Sequence, residues 1–305
     1  MDSMTIGTRG SRLALSQAEE IQKKLRSLFP KIDFKLKRVV TQGEKTEKLL
    51  TRHAETIGFF TKELEEALLA GEADIAVHSL KDLPTVGPEK LQIAAITRRE
   101  NPQDALVTTD GRSLSALRPG SRIGTGSERR RSQLLRFNAA FEVVGIRGNL
   151  DTRLRKLEEK GFDALVLAMA GLRRFQVNPE KVWPIPLEIM LPAPGQGALA
   201  IQVRGKDQEL GRMVSQLDDL ETRRCVTAER AFLSRLGGGC QLPLGALGTL
   251  QGGKLVLEGV LLSGDGRREI RACLKETAGV PEKIGEKLGN QFFEMGAEEL
   301  LNGKG

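Results

Sequence analysis

Cys240 ends the run Gly237-Gly238-Gly239, and a thiol placed after three glycines lies on a turn that another group can approach closely. Its thiolate is the reactive form, and nearby cations favour it. The other cysteines are Cys225 and Cys273, and an odd number without paired spacing is not a disulfide framework. Both fall inside patterned elements and read as small buried hydrophobes. Zinc is not expected, because the gaps are long and the only histidines are His53 and His78. No His–Cys pairing argues for a cysteine hydrolase; His78 is a possible partner for Cys240, with a structural role as its alternative.

A second set is cationic. Arg9 follows a strand end, and Arg129, Arg130 and Arg131 open a helix after Thr125-Gly126-Ser127. Arg147 follows another strand end, Arg153 lies in the helix after it, and Arg173 and Arg174 follow Ala170-Gly171-Leu172. Guanidinium groups grip carboxylates through two hydrogen bonds, and helix N-termini attract anions. Such a set suits a ligand with many carboxylates or phosphates. The alternative is solvated surface arginines, but cations at a helix N-terminus oppose its dipole and need a reason. No Walker-type phosphate loop occurs. Gly124-Thr125-Gly126 starts like a dinucleotide fingerprint, but Arg129 stands where its third glycine belongs. Lys81-Asp82 is the third constellation: the amine can hold a carboxylate, and the acid can stabilise a developing cation, move a proton or merely cap the next turn.

The elements that position these groups alternate. Met4–Thr8 reads as a strand, and Ala14, Ala18, Ile21, Leu25 and Leu28 mark one helix face up to Pro30. Ile32–Thr41 is a strand, Thr61–Ala70 a helix ending at Gly71, and Ile75–Val77 a buried strand leading into the loop His78–Asp82 and Pro84. The pattern returns with the strand Arg122–Gly124, a helix to Phe137, the strand Glu142–Ile146, a helix Leu150–Lys160 and the strand Ala164–Ala168. Two α/β domains of one type with mostly parallel sheets are expected, and ligands bind beyond the carboxyl ends of such strands. Pro184–Pro194 reads as a connection, followed by the strand Ala198–Val203. From Glu221 the style changes. Cys225, Ala228, Phe232 and Leu236 mark a helix, Leu255–Leu262 and Glu269–Leu274 a hairpin, and Pro281–Leu301 a last helix, which together make a small α+β domain.

Composition bounds the rest. The chain has 305 residues, enough for two or three domains, with 39% hydrophobic and 29% charged residues. A net charge of +7 points to an anionic partner. Nucleic acid is disfavoured, because the basic residues form loop clusters and aromatics are 4%, with one Trp and no Tyr. No apolar run is long enough to span a membrane, and Met4-Thr5-Ile6-Gly7 runs directly into patterned structure without a secretory signal, so the expected compartment is the cytoplasm.

Several segments together resemble one family. They are Thr8-Arg9-Gly10-Ser11, Asp74 to Pro84 around Lys81-Asp82, Ile123-Gly124-Thr125 with Arg129-Arg130, Arg147-Gly148-Asn149 with Thr152-Arg153-Leu154, Leu191 to Gly197 including Gln196, and Gly238 to Pro243 around Cys240. In this order they resemble the hydroxymethylbilane synthase, or porphobilinogen deaminase, family. The resemblance implies two α/β domains like periplasmic binding protein lobes and a small C-terminal α+β domain with a three-stranded antiparallel sheet. The expected divisions are 1–97 with 198–216, 98–197, and 217–305. It implies a dipyrromethane cofactor joined to Cys240 by a thioether, on which four porphobilinogens condense head to tail with loss of ammonia before water releases the tetrapyrrole. It also implies a monomer without metal.

By the same resemblance, Arg129, Arg130 and Lys81 anchor the cofactor, with hydrogen bonds from Thr125 and Ser127. Arg9, Arg147 and Arg153 hold the incoming ring or aid loss of its amine. Asp82 faces the pyrrole nitrogens and stabilises a positive azafulvene-like species. Ser11, Arg174, Gln196 and Phe60 complete the substrate set. Departures are Gly126, where a second hydroxyl residue is usual, the added charge of Arg131, and the segment Glu44–Gly58, with Glu55-Thr56-Ile57 in place of a Gly- and Lys-rich loop. A solute-binding module and a nucleic-acid binder are the competing classes; neither accounts for Cys240.

Overall fold

A computed structural model describes residues 2–39, 61–159, 161–239, 242–277 and 279–302. The chain divides into two compact units, Met1–Glu100 with Ala198–Arg223, and Asn101–Gly197 with Arg224–Gly305.

The first unit is built on strands β1 (Ser3–Thr8), β2 (Asp33–Arg38), β3 (Ile75–Ser79), β4 (Leu91–Ile96) and a late strand, Leu199–Arg204. The helix Arg12–Leu28 crosses from β1 to β2, as a parallel pair requires. Ser11 caps it, its Oγ accepting the Ala14 N–H at 3.3 Å. The spacing read from sequence brings Ala18, Ile21 and Leu25 fully out of solvent against Met4, Ile6, Phe34 and Ile75. Each large side chain so buried contributes about 1.5–3 kcal/mol. The late strand pairs antiparallel with both β3 and β4, giving the order β2-β1-β3-late-β4.

The second unit repeats this plan with β5 (Asp104–Val107), β6 (Arg122–Gly124), β7 (Glu142–Val144), β8 (Ala164–Ala168) and β9 (Val182–Pro184). The helices Glu128–Phe137 and Leu150–Glu158 connect the parallel strands β6, β7 and β8. Strand β5 pairs antiparallel with β8 and β9, and the order is β7-β6-β8-β5-β9. The two sheets therefore share one topology: three parallel strands, then one reversed strand, then an edge strand. The expected mostly parallel sheets are in fact mixed. The reversed strand in each follows a change of unit along the chain rather than a βαβ crossover, so nothing compels it to run parallel.

The late strand of the first unit is β10, and the second unit also holds a meander of β11 (Leu244–Gln251), β12 (Lys254–Leu262) and β13 (Glu269–Thr277). Two helix faces cover the meander. Ala228, Phe232 and Leu236 meet Ile284, Leu288 and Phe292, with Phe232 and Phe292 edge to face at 4.8 Å. The last helix is two segments, Pro281–Glu294 and Ala297–Leu301, because Gly296 adopts φ 91° between them. Cys225 is buried, as expected, but Cys273 is exposed. Strand β13 lies at the sheet edge; Ala272 and Leu274 turn toward the core and Cys273 alternates outward opposite Glu258.

Candidate active site

In the first unit the parallel strands β1, β2 and β3 end on one edge of their sheet. Arg9 follows β1, Arg38 ends β2, and Lys81-Asp82 follows β3. Arg38, not singled out from sequence, packs its guanidinium where a side chain on Gly10 would lie. Arg9 and Ser11 are half-buried, and the Ser11 hydroxyl is engaged as the helix cap. Strand β3 extends through His78 and Ser79, so the expected loop is shorter than its sequence suggested. Leu80–Asp82 forms one 3-10 turn anchored by buried Leu80, whose N–H donates to Ala198 O at 3.0 Å. The anchor leaves Lys81 half-buried and Asp82 exposed.

Behind this turn runs a buried polar chain. Gln202 donates from Nε2 to Glu65 Oε1 at 3.0 Å, so its Oε1 faces His78 Nε2 at 3.1 Å. That orientation assigns the proton to His78 Nε2. Burial pushes the His78 pKa down to about 4, the Gln202 hydrogen bond opposes the shift, and the positive charge of Arg9 adds to it. Burial pushes the Glu65 carboxyl up, and its bond from Gln202 opposes this. A histidine whose folded pKa lies below its unfolded value stabilises the fold fully above the unfolded value and loses that contribution as pH falls. The window for His78 runs from 6.5 down to about 4. Glu65 acts in the opposite sense, regaining stability as pH falls through its raised value. We expect His78→Gln, which keeps a donor toward Gln202, to remove about 2 kcal/mol of the stability lost between pH 7 and pH 5. Urea midpoints at the two pH values check this; parallel losses in both proteins would contradict it.

In the second unit, β6 leads through Thr125, Gly126 and Ser127 into the helix Glu128–Phe137. Thr125 is buried, and its Oγ1 accepts the Ser127 N–H at 3.3 Å. Ser127 is the N-cap residue, half-buried, and its hydroxyl makes no cap bond. A Cβ on Gly126 would stand 2.9 Å from Ile146 O, so a larger residue there requires the turn to shift.

The next two residues turn inward. Arg129 and Arg130 are 4% and 6% exposed. Both grip Asp104, the first residue of β5, which is fully buried. Arg129 Nη1 donates to Asp104 Oδ2 at 2.7 Å and to Leu191 O at 2.6 Å. Arg130 donates to Asp104 Oδ1 from Nε at 2.9 Å and from Nη2 at 2.7 Å, and from Nη1 to Val166 O at 3.1 Å. Gln196 is also fully buried; its Nε2 donates to Asp104 Oδ1 at 3.0 Å and to Pro102 O at 2.7 Å. One carboxylate thus faces two guanidiniums, and the cluster keeps one net positive charge in a buried setting. Burial, foremost, and Arg130 push the Arg129 pKa down, while Asp104 pulls it up. A carboxylate-bearing group fits such a cluster, because a buried excess charge is stabilised by an added counter-charge.

The remaining arginines have distinct settings. Arg147 is exposed at the turn after β7, and half-buried Arg153 donates from Nε to Gly148 O at 2.8 Å. Asn149 caps the helix Leu150–Glu158 through Oδ1 and Thr152 N at 3.0 Å, which fixes the turn that carries Arg147. Arg173 and Arg174 close the helix Met169–Arg174, where cations complement the dipole. Arg131 turns away from the pair and donates to Gly264 O at 2.8 Å, in the β12–β13 hairpin. Cys240, Phe60 and the segment Glu44–Gly58 lie outside the described residues. Asp104 was missed from sequence. The signal for it was a lone acid entering the apolar run Ala105-Leu106-Val107, a position that demands a cationic partner.

Among the described residues, no group of three or more His, Cys, Asp or Glu is placed to hold a metal ion, and no helix is long and apolar enough to cross a membrane.

Comparison with known proteins bears on the family. The family model described as "Porphobilinogen deaminase, dipyromethane cofactor binding domain" matches residues 4–212. A second, "Porphobilinogen deaminase, C-terminal domain", matches residues 223–294. A porphobilinogen deaminase of Desulforudis audaxviator (strain MP104C) is 46% identical over 298 residues, 98% of this chain and 96% of that protein. One of Pelotomaculum thermopropionicum is 44% identical over 298 residues, again 98% of this chain and 96% of the relative. One of Roseiflexus sp. (strain RS-1) is 42% identical over 304 residues, 99% of each. With the first family model matching residues 4–212, and relatives aligned over nearly their whole length, this chain belongs to the porphobilinogen deaminase family.

Proposed function

We propose that this protein is a hydroxymethylbilane synthase: it condenses porphobilinogen units on a covalent dipyrromethane and releases the linear tetrapyrrole by hydrolysis. The observation that carries the reading is the buried Asp104–Arg129–Arg130 cluster with its excess positive charge, in a chain of this family. Each porphobilinogen carries an acetate and a propionate, so a growing chain gathers carboxylates and needs fixed cations. Arg129, Arg130 and Lys81 would hold the dipyrromethane, with hydroxyls from Thr125 and Ser127 and a thioether to Cys240. When bound, that group supplies the pyrrole carbon to which the first new unit is joined.

The chain's own residues do the rest. Arg9, Arg147 and Arg153 would bind the carboxylates of the incoming ring and orient its aminomethyl group. In each condensation a C–N bond breaks, ammonia leaves, a C–C bond forms and the pyrrole carbon loses a proton. Asp82 would place its negative charge against the ring as positive charge develops there. Ser11, Arg174 and Phe60 would complete substrate binding, while Gln196 would act on it through Asp104.

We further propose the three-way division 1–97 with 198–216, 98–197 and 217–305, supported by the three separate sheets. A monomer in the cytoplasm, using no metal and binding no nucleic acid, completes the reading. The test is direct. Purified protein given porphobilinogen should release one ammonia for each unit consumed and yield a linear tetrapyrrole that on standing loses water and cyclises to uroporphyrinogen. Consumption without ammonia release would overturn the assignment.

A further inference from the structure

We propose that Asp104 is a positioning residue that presents Arg129 and Arg130 to the carboxylates of the dipyrromethane. The inference rests on the proposed cofactor role of the two arginines and assigns them a shared, fully buried support.

The carboxylate of Asp104 is saturated on the protein side. Its two oxygens accept from Arg129 Nη1, Arg130 Nε, Arg130 Nη2 and Gln196 Nε2, at 2.7, 2.9, 2.7 and 3.0 Å. It sits at the start of β5, where pairing of Asp104 with Ala168 and the bond from Ile185 N to Asp104 O fix the backbone. Arg129 and Arg130 are consecutive residues at the start of their helix, where the dipole works against a cation. Two adjacent guanidiniums there also repel one another. One shared anion answers both difficulties, since it neutralises half of the charge and holds each fork through a different oxygen. The remaining positive charge is left for a ligand. A second acid at the site would cancel the cluster and remove its demand for an anion; a neutral residue in place of Asp104 would leave two cations without a common anchor. The arrangement is thus tuned to hold the pair still while keeping it cationic.

The test separates positioning from simple stability. Asp104→Ala, Asp104→Asn and Arg130→Gln are made in the full chain. Each is followed by thermal melting and by the mass of the denatured protein, which reports the fraction carrying two linked pyrroles after incubation with porphobilinogen. Asp104→Ala should load about 10- to 100-fold more slowly, the range by which removing the hydrogen-bond partner that orients a metal ligand weakens a metal site. Sodium formate, a free carboxylate small enough for the vacated space, should restore loading, whereas sodium chloride at the same ionic strength should not. Asp104→Asn fills that space and turns an amide donor toward the guanidiniums, so it should stay poorly loaded with or without formate. It also carries the test if the alanine variant does not fold. Normal loading of either variant overturns the proposal. So does formate that restores melting but not loading, or failure of both variants to fold with formate present, because each of these makes Asp104 purely structural. Arg130→Gln distinguishes the underlying reading: full loading there removes the cofactor role of the arginines themselves. Poor loading of Arg130→Gln beside normal Asp104 variants removes only the inference about Asp104.

Discussion

Cys240→Ser should leave the denatured protein without the mass of two linked pyrroles and reduce tetrapyrrole formation by at least about 10³-fold, within the 10⁵ or more that tethering reactants confers. The argument is chemical. A few per cent of an ordinary thiol is thiolate near neutral pH and is strongly nucleophilic, whereas a serine hydroxyl without a general base is not. A thioether, once formed, survives denaturation, so the adduct is read on unfolded protein, and loss of mass is independent of any assay of turnover. The other two cysteines serve as controls. Cys225 is buried, and Cys273 lies on the outer face of β13, where partial desolvation, foremost, and Glu258 push its thiol pKa up and away from the reactive form against the opposing charge of Lys275. Cys225→Ser and Cys273→Ser should keep the full adduct. An adduct persisting in Cys240→Ser, or vanishing in Cys273→Ser, would move the attachment site.

Local patterns carried much of the fold. The four-three spacing of Ala14 to Leu28 specified the first helix, and the apolar run Ala164–Ala168 specified β8 to its ends. The likeness of the two α/β blocks, legible as an alternation of strands and helices that returns along the chain, is a shared sheet topology. Weaker patterns carry no such signal. Strand β5 has four residues after a proline, and Gly245 and Gly248 interrupt the alternation of β11. Those glycines are required by packing remote in sequence: a Cβ on Gly248 would meet the Cys225 backbone at 2.8 Å. The reversed strands were illegible for a related reason, since their direction depends on which unit precedes them along the chain.

The site was legible to the same degree. Residue types and strand ends pointed to the arginines, but sequence could not say which of them spend their hydrogen bonds within the protein. Arg131 opens its helix beside Arg129 and Arg130, yet the helical turn directs it to Gly264 while its neighbours reach Asp104. That partner lies 25 residues upstream of Arg129 and is brought near only by the position of β5 beside β8. A pairing of this kind is set by strand order, which no local periodicity encodes.

Asp82→Asn tests the remaining chemical role, and we expect it to keep the covalent adduct while lowering kcat by at least about 10²-fold, the loss typical of one electrostatic stabiliser. The turn that carries Asp82 is held by the buried side chain and backbone N–H of Leu80, not by the carboxylate, and Asp82 itself is exposed. The amide should therefore leave the fold within about 0.5 kcal/mol of wild type, as exposed substitutions usually do. Asparagine preserves size and one acceptor oxygen but supplies no negative charge. If Asp82 served only to bind substrate, KM would rise and kcat would stay. If it stabilises charge that develops as ammonia leaves, kcat and kcat/KM fall together, because the interaction exists only in the transition state. Asp82→Glu restores the charge at a displaced position and should recover part of the loss. Near-normal kcat in Asp82→Asn would remove the residue from catalysis, and an absent adduct would place its action in cofactor attachment instead. The charge, rather than the shape, of this one exposed side chain is what separates the three outcomes.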